Sequence, residues 1–315
     1  MYPQKAIRLS RRGFWMSRRT RNLFGHLRLM ASAILRQKVF HDEPAPVSGV
    51  QRYLKSLPAM EFHLVPVVPR LLEPFAGNEG IQRLQQYLSL RLGEETVSEL
   101  PLLGVDSGYR ESFLEAVKTL LEIDAEGVLQ FAIDGLNDEV STAGSENRPF
   151  HVWLSLGSSN PGQDPGTHDR DFQSKFELDR SIRLRLCSPL VWTGERISRR
   201  AILERSEEYL YRTVYQWMTG GQPITLLDHL RQEVFVATRT GNTRSKLDGR
   251  NLQRLIAEFK CSSGSTNRSE ILGFFYTGTC SGYKGGSSSQ VDCPMPGFHF
   301  ARHIAGKILA EHLGP

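Results

Sequence analysis

Two apolar periods alternate along this chain, and their interleaving limits its architecture more than any other feature. In YRESFLEAVKTLLEI (109–123), Phe113, Val117 and Leu120 recur at helical spacing, and DAEGVLQFAIDGL (124–136) opens on Asp124, whose short carboxylate suits a helix N-cap. PFHVWLSLG (149–157) reads as a strand, and SIRLRLC (181–187) alternates like a half-buried one. A helix is expected from about Ser198 to Met218, closed by Gly220 and Gly221. EVFVATR (233–239) and LQRLIAEFKC (252–261) again read as strands, with TGN (240–242) a turn between them. FHFARHIAGKILAEHL (298–313) places Ala301, Ile304, Ile308 and Leu309 on one face of a closing helix. Helical stripes and strand faces can bury one another only in layers. The pattern therefore predicts an α/β protein, a mixed central sheet flanked by helices, with an N-terminal helical region.

Charge is distributed in blocks. Residues 1–41 hold ten Lys or Arg and no acid, residues 42–174 nine basic and twenty-one acidic residues, and residues 175–260 sixteen basic and ten acidic. The formal net charge of +5 thus owes most to the N-terminus, and the local surplus in 175–260 is the better pointer to a polyanionic partner. An Arg-rich, acid-free, partly apolar segment has the composition of a mitochondrial transit peptide, so residues 1–45 are read as a targeting leader or basic arm. SRRGFW also echoes a twin-arginine signal, but Arg18, Arg19 and Arg21 interrupt the apolar region that should follow. A bacterial or secreted effector is the competing origin. DEPAPVSG (42–49) reads as a linker, residues 46–148 as an acidic helical region and residues 149–315 as the main domain, with its boundary in the SSNPGQDPGTHDRD loop (158–171) or just before it. No run of eighteen apolar residues occurs. Cys187, Cys261, Cys280 and Cys293 are too scattered for a secreted disulfide framework.

The stretch LDGRNLQRLIAEFKC (247–261) carries the sharpest chemical reading. On a strand, Glu258 and Lys260 share a face, and a turn near Arg250 and Asn251 would bring Asp248 beside Glu258. Two carboxylates beside an ammonium make a hard-oxygen site for Mg²⁺ or Mn²⁺, where a bound water can be activated toward a phosphodiester. Glu207 joins Leu203, Leu210, Val214 and Trp217 on one helix face, a costly place for a carboxylate without a partner. Asp248, nine intervening residues and Glu258-Phe259-Lys260 on an apolar segment resemble the PD-(D/E)xK nuclease superfamily over residues 195–280. The resemblance implies a restriction-endonuclease-like core built on a β-meander between helices. Asp248, Glu258 and Glu207 would then be metal ligands and Lys260 the water-orienting group. Leu247 stands where that family often has proline.

The function expected on this reading is a metal-dependent nuclease acting on DNA, with RNA the second choice, in organellar genome maintenance. The alternative is a non-catalytic nucleic-acid-binding or assembly protein with a degenerate nuclease fold. Arg199 and Arg200 at the helix start, with Arg244, Lys246 and Arg250 around the presumed hairpin, are the expected phosphate contacts. Arg196, Arg205, Arg239 and Arg254 add to the same surplus. Tyr209, Tyr211, Tyr215 and Trp217 could stack on bases, although an aromatic helix face more often packs. Cys280, Cys293, His299 and His303 are loosely zinc-like but lack closely paired cysteines, and Cys187 with the later three only roughly matches an iron–sulfur distribution. The GTCSGYKGGSSS segment, with Lys284, does not fit a P-loop.

Overall fold

The computed structural model describes residues 60–73, 82–83, 85–89, 110–140, 149–157, 165–280 and 293–313. The leader, the 42–49 linker, the 158–164 part of the expected loop and Lys284 with its glycine-rich surroundings lie outside these residues. Five strands carry the sheet: β1 (Phe62–Leu64), β2 (Phe150–Val152), β3 (Ser155–Gly157), β4 (Leu186–Cys187) and β5 (Leu190–Trp192). With them, beside a 3-10 turn at Val68–Arg70 and helical residues at 82–83 and 85–89, stand α1 (Arg110–Glu122), α2 (Ala125–Glu139), α3 (Pro165–Phe176), α4 (Asp179–Arg183), α5 (Arg199–Thr219), α6 (Leu226–Arg239), α7 (Gly249–Ser262), α8 (Arg268–Thr277) and α9 (Pro296–Leu313). The fold is mixed α/β, mostly helical with a small sheet.

Every strand pair among the described residues is parallel, in the orders β1-β2-β4 and β3-β5. The same residue offset links β2 to β4 and β3 to β5, so these pairs are one ladder with a gap. Pro189 explains the gap. Trp153 donates its N–H to the Cys187 carbonyl and Ser155 its own to the Pro189 carbonyl. The intervening bond, back to the Trp153 carbonyl, would have to come from residue 189, which as proline has no N–H. The Ser188 hydroxyl lies 3.4 Å from that carbonyl and partly replaces the missing donor. At the β1 edge, the Asn137 side chain on α2 accepts from the Phe62 N–H (3.0 Å) and donates to its carbonyl (2.9 Å), closing an edge that would otherwise be open to pairing. Gly157 ends β3 beside the Trp192 ring, where an added Cβ would sit 2.6 Å from ring carbons.

The described part of the acidic region shares this core. β1 pairs with β2, and Phe62 stacks on Phe150 with centroids 5.3 Å apart. Val117, Leu129, Ile133, Phe150, Leu210 and Val214 belong to one buried cluster, so α1 and α2 pack as one body with β2 and α5. A second helical layer is built on aromatic contacts among Phe172, Phe176, Phe275 and Phe298.

Several expected helices are present with their expected ends. Asp124 caps α2, Ser198 caps α5 by accepting from the Ala201 N–H, and Gly220 closes α5 in the left-handed region. The four expected strands are different. PFHVWLSLG divides into β2 and β3, and SIRLRLC starts in the last turn of α4 and passes through a turn, with only Leu186–Cys187 extended. THDRD lies within α3 rather than in a loop.

EVFVATR and LQRLIAEFKC are both helical, as the C-terminal end of α6 and the body of α7. Thr225 and Asp228 form a reciprocal capping box that starts α6 eight residues before the stretch read as a strand. In α7 the buried residues are Leu252, Leu255, Ile256 and Phe259, which is helical spacing; Ala257, which a strand would place on the same face as Leu255 and Phe259, is exposed. Residues 195–280 are therefore helical wherever they are regular, and the expected β-meander has no counterpart there.

Candidate functional site

The residues proposed as a metal centre are separated by the helix that was expected to be a strand. Asp248 is the N-cap of α7, its Oδ1 accepting the Asn251 N–H at 2.7 Å. Glu258 lies ten residues further along the same helix, about 15 Å of axial rise. Ligand oxygens on one Mg²⁺, each about 2.1 Å from the ion, lie within about 4 Å of each other, so these two carboxylates cannot share it. Glu258 instead accepts the Cys280 N–H at 3.1 Å, fixing the chain after α8. Lys260 is two residues, and so about 200° of helical turn, from Glu258 and is exposed. Glu207 is on α5, half-buried in a pocket with Phe131 and Leu136 of α2 and Arg239 of α6. Burial, then Glu204 and Glu208, raises its carboxyl above the ordinary range.

Among the described residues no group of three or more His, Cys, Asp or Glu side chains could hold a metal ion, so the expected Mg²⁺ or Mn²⁺ site does not fit them. The zinc-like and iron–sulfur-like sets do not assemble there either. Burial pushes the Cys187 thiol up to about 12 and the Cys280 thiol up to about 11, the behaviour of inert core cysteines. His299 is also occupied elsewhere: its Nδ1 accepts the Lys246 N–H at 3.4 Å.

The anticipated stacking platform is already packed. Tyr209 is buried and shares a hydrogen bond with Ser174 at 2.7 Å; Tyr211 donates to Glu139 at 2.5 Å; Tyr215 packs on Phe235. Trp217 lies edge-on to Phe150 with the Arg185 guanidinium 3.9 Å from its ring.

Two buried ionic groups are the polar residues that strand-based reading missed. Asp171 on α3 accepts from Lys175 Nζ (2.5 Å) and from the Tyr276 hydroxyl of α8 (2.6 Å), and Trp192 Nε1 lies 3.3 Å from its other oxygen. Burial alone would raise this carboxyl, but Lys175, Arg205 and the two hydrogen bonds hold it below its ordinary value. On α5, Arg212 donates to both oxygens of Glu233 on α6 (2.8 and 2.7 Å), and Arg302 of α9 donates to Glu208 at 3.1 Å. The adjoining cavity is only about 10 Å³, room for roughly one water and not for a substrate. These groups join α3, α5, α6, α8 and α9, which makes their work architectural. The spacings Asp171–Lys175 and Glu208–Arg212, both i,i+4, were visible signals once a helix was assumed.

The basic residues sort into two populations. Arg199 donates to the Ile123 carbonyl (2.7 Å) and Arg200 pairs with Glu204, so both are used internally. Arg205, Arg212, Arg239, Arg268 and Arg302 also have carboxylate partners. Arg244, Lys246, Arg250 and Lys260 are exposed, and no ion-pair partner is recorded for them among the described residues. All four lie in the α6–α7 connection or on α7, with Arg254 at their edge. His299 holds this connection from below, and Gly306 of α9 lets it approach closely: a Cβ there would sit 3.3 Å from Thr243 Cβ.

No family model, no curated protein and no solved structure matches this chain. No described helix is long and apolar enough to cross a membrane.

Proposed function

We propose that this protein binds an anionic polymer, DNA before RNA, through the basic surface formed by the α6–α7 connection and α7, without hydrolysing it. The observation that carries this reading is the contrast between paired and unpaired cations. Carboxylates pair with Arg200, Arg205 and Arg212 of α5, Arg231 and Arg239 of α6, Arg268 of α8 and Arg302 of α9, while Arg244, Lys246, Arg250 and Lys260 are each exposed. Such cations bind phosphates by releasing counterions, which gives affinity without sequence preference. Asp248 within this surface is occupied as a helix cap, which reduces but does not cancel the local positive charge.

Fluorescence anisotropy with labelled single-stranded DNA, duplex DNA and RNA across a salt series tests the reading. Binding should weaken steeply with salt, and the Arg244→Ala/Lys246→Ala/Arg250→Ala variant should lower the logarithmic salt slope by roughly 2–3, since each lost phosphate contact removes about 0.7–0.9. Equal binding by the triple variant refutes it. The same samples with Mg²⁺, Mn²⁺ or chelator test the nuclease alternative: metal-dependent cleavage lost in Lys260→Ala would restore hydrolysis by PD-(D/E)xK-like residues. The mitochondrial reading of the N-terminus is tested separately by fusing residues 1–45 to a fluorescent reporter.

A further inference from the structure

We propose that the pocket between α2, α5 and the end of α6 binds a small organic cation, a primary ammonium carried on an aromatic body, with Glu207 as its counter-ion. The pocket has a volume of about 240 Å³. An apolar cavity of about 150 Å³ suffices for benzene, so an arylalkylamine fits. Ala132, Leu136 and Leu210 supply apolar walls, the Tyr211 ring adds to them, and Phe131, 68% exposed, stands at the edge.

The polar groups of the lining decide the sign of the ligand. Its donors are committed or closed off. The backbone N–H groups of Phe131, Ala132, Gly135 and Leu136 lie past the first turn of α2 and those of Glu207, Leu210 and Tyr211 past the first turn of α5, where the helix itself uses them. Thr240 gives both its N–H and its hydroxyl to the Val236 carbonyl, and Tyr211 gives its hydroxyl to Glu139. Arg239 is paired with the same Glu139 through Nη1, while its Nε and Nη2 have essentially no accessible surface and do not open into the cavity.

Glu207 is the opposite case. Its neighbours on α5 are matched, Glu204 by Arg200 and Glu208 by Arg212 and Arg302. Glu207 itself has no hydrogen bond or ion pair among the described residues, is only half-buried, and its oxygens are not among the enclosed polar atoms, so a ligand can reach them. Burial, then Glu204 and Glu208, raises its carboxyl, and a cation beside it relieves that cost. An anion would meet this carboxylate with no free donor to hold it, and a neutral ligand would leave the charge unmatched. An ammonium supplies the missing partner while the leucines and rings cover its body, aromatic faces being themselves attractive to cations.

The full-length protein is titrated with phenethylamine by saturation-transfer NMR and thermal shift at about pH 7.5, where the amine is an ammonium. Phenethyl alcohol serves as its uncharged isostere, hydrocinnamate as its anionic counterpart and methylammonium as the charge without the body. Phenethylamine should bind, the alcohol and methylammonium about tenfold more weakly or worse, since one lacks the charged hydrogen bond and the other the apolar contact, and hydrocinnamate not at all. Glu207→Gln keeps the shape of the wall and removes its charge, so it should bring the amine down to the affinity of the alcohol and leave the alcohol unchanged. Phe131→Ala, at an exposed position where folding is not at stake, should weaken both several-fold. Both variants should leave the polyanion affinity of the basic surface unchanged, which separates the two sites. Absence of binding at millimolar phenethylamine, alcohol or hydrocinnamate binding as well as the amine, or amine affinity indifferent to Glu207→Gln would each overturn the proposal.

Discussion

His299 should make the stability of this protein fall between neutral and mildly acidic pH, and the structure gives the size of the effect. The ring is 6% exposed, accepts the Lys246 N–H on Nδ1 and also engages the Arg244 backbone. Burial, then Arg302 and Lys246, lowers its pKa from 6.5 to about 4. A histidine with a lower pKa when folded binds protons more readily when unfolded. Its contribution is therefore intact above pH 6.5, declines as pH falls, and levels off below about 4, where both states are protonated. The full difference is about 3 kcal/mol, and about 1.4 kcal/mol of it is lost by roughly pH 5.5. Urea unfolding of wild type and His299→Gln at about pH 7.5 and pH 5.5 isolates the term, because a glutamine amide can accept the same N–H but does not titrate. His151, His229 and His303, also lowered by burial, contribute to both proteins and cancel. Equal pH-dependent losses in the two proteins would refute the assignment.

Asp171→Ala should cost about 3–5 kcal/mol in thermal or chemical unfolding, because it strands the buried Lys175 ammonium, and an Asp171→Leu/Lys175→Met pair should recover most of that loss. Gly297→Ala should destabilise by about 1–3 kcal/mol, since its Cβ would lie 2.6 Å from Phe275 Cα and 3.0 Å from the Phe274 carbonyl oxygen. Gly135→Ala, with open space around it, should instead stabilise by about 0.5–1 kcal/mol in the same assay. Asp248→Ala should cost about 1 kcal/mol through the lost cap while leaving polyanion affinity equal or higher, whereas a metal ligand would lose all activity on the same change.

Legibility differed between elements for physical reasons. α1, α2, α5 and α9 could be read because each presents several turns of apolar residues, and in α2 and α5 a capping residue as well. α7 carries a complete helical pattern, with Leu252, Leu255, Ile256 and Phe259 on one face, but its Glu-Phe-Lys triplet also satisfies the two-residue period of a strand. α6 failed differently, because Val234 and Val236 are both buried and a seven-residue window there fits either period; the decisive capping box lies outside it. Of the candidate site, Arg244, Lys246 and Arg250 remain as an exposed group, whereas Glu207 belongs to a different pocket from the one expected.

Local chemistry thus determined where helices begin and end, that apolar stripes require a layered α/β body, and that cations concentrate in residues 175–260. Tertiary structure decided which charges meet. A carboxylate's role depends on what stands within a few ångströms of it in space, so Asp171 became a buried anchor, Asp248 a helix cap and Glu207 a pocket wall, although their side chains differ by at most one methylene.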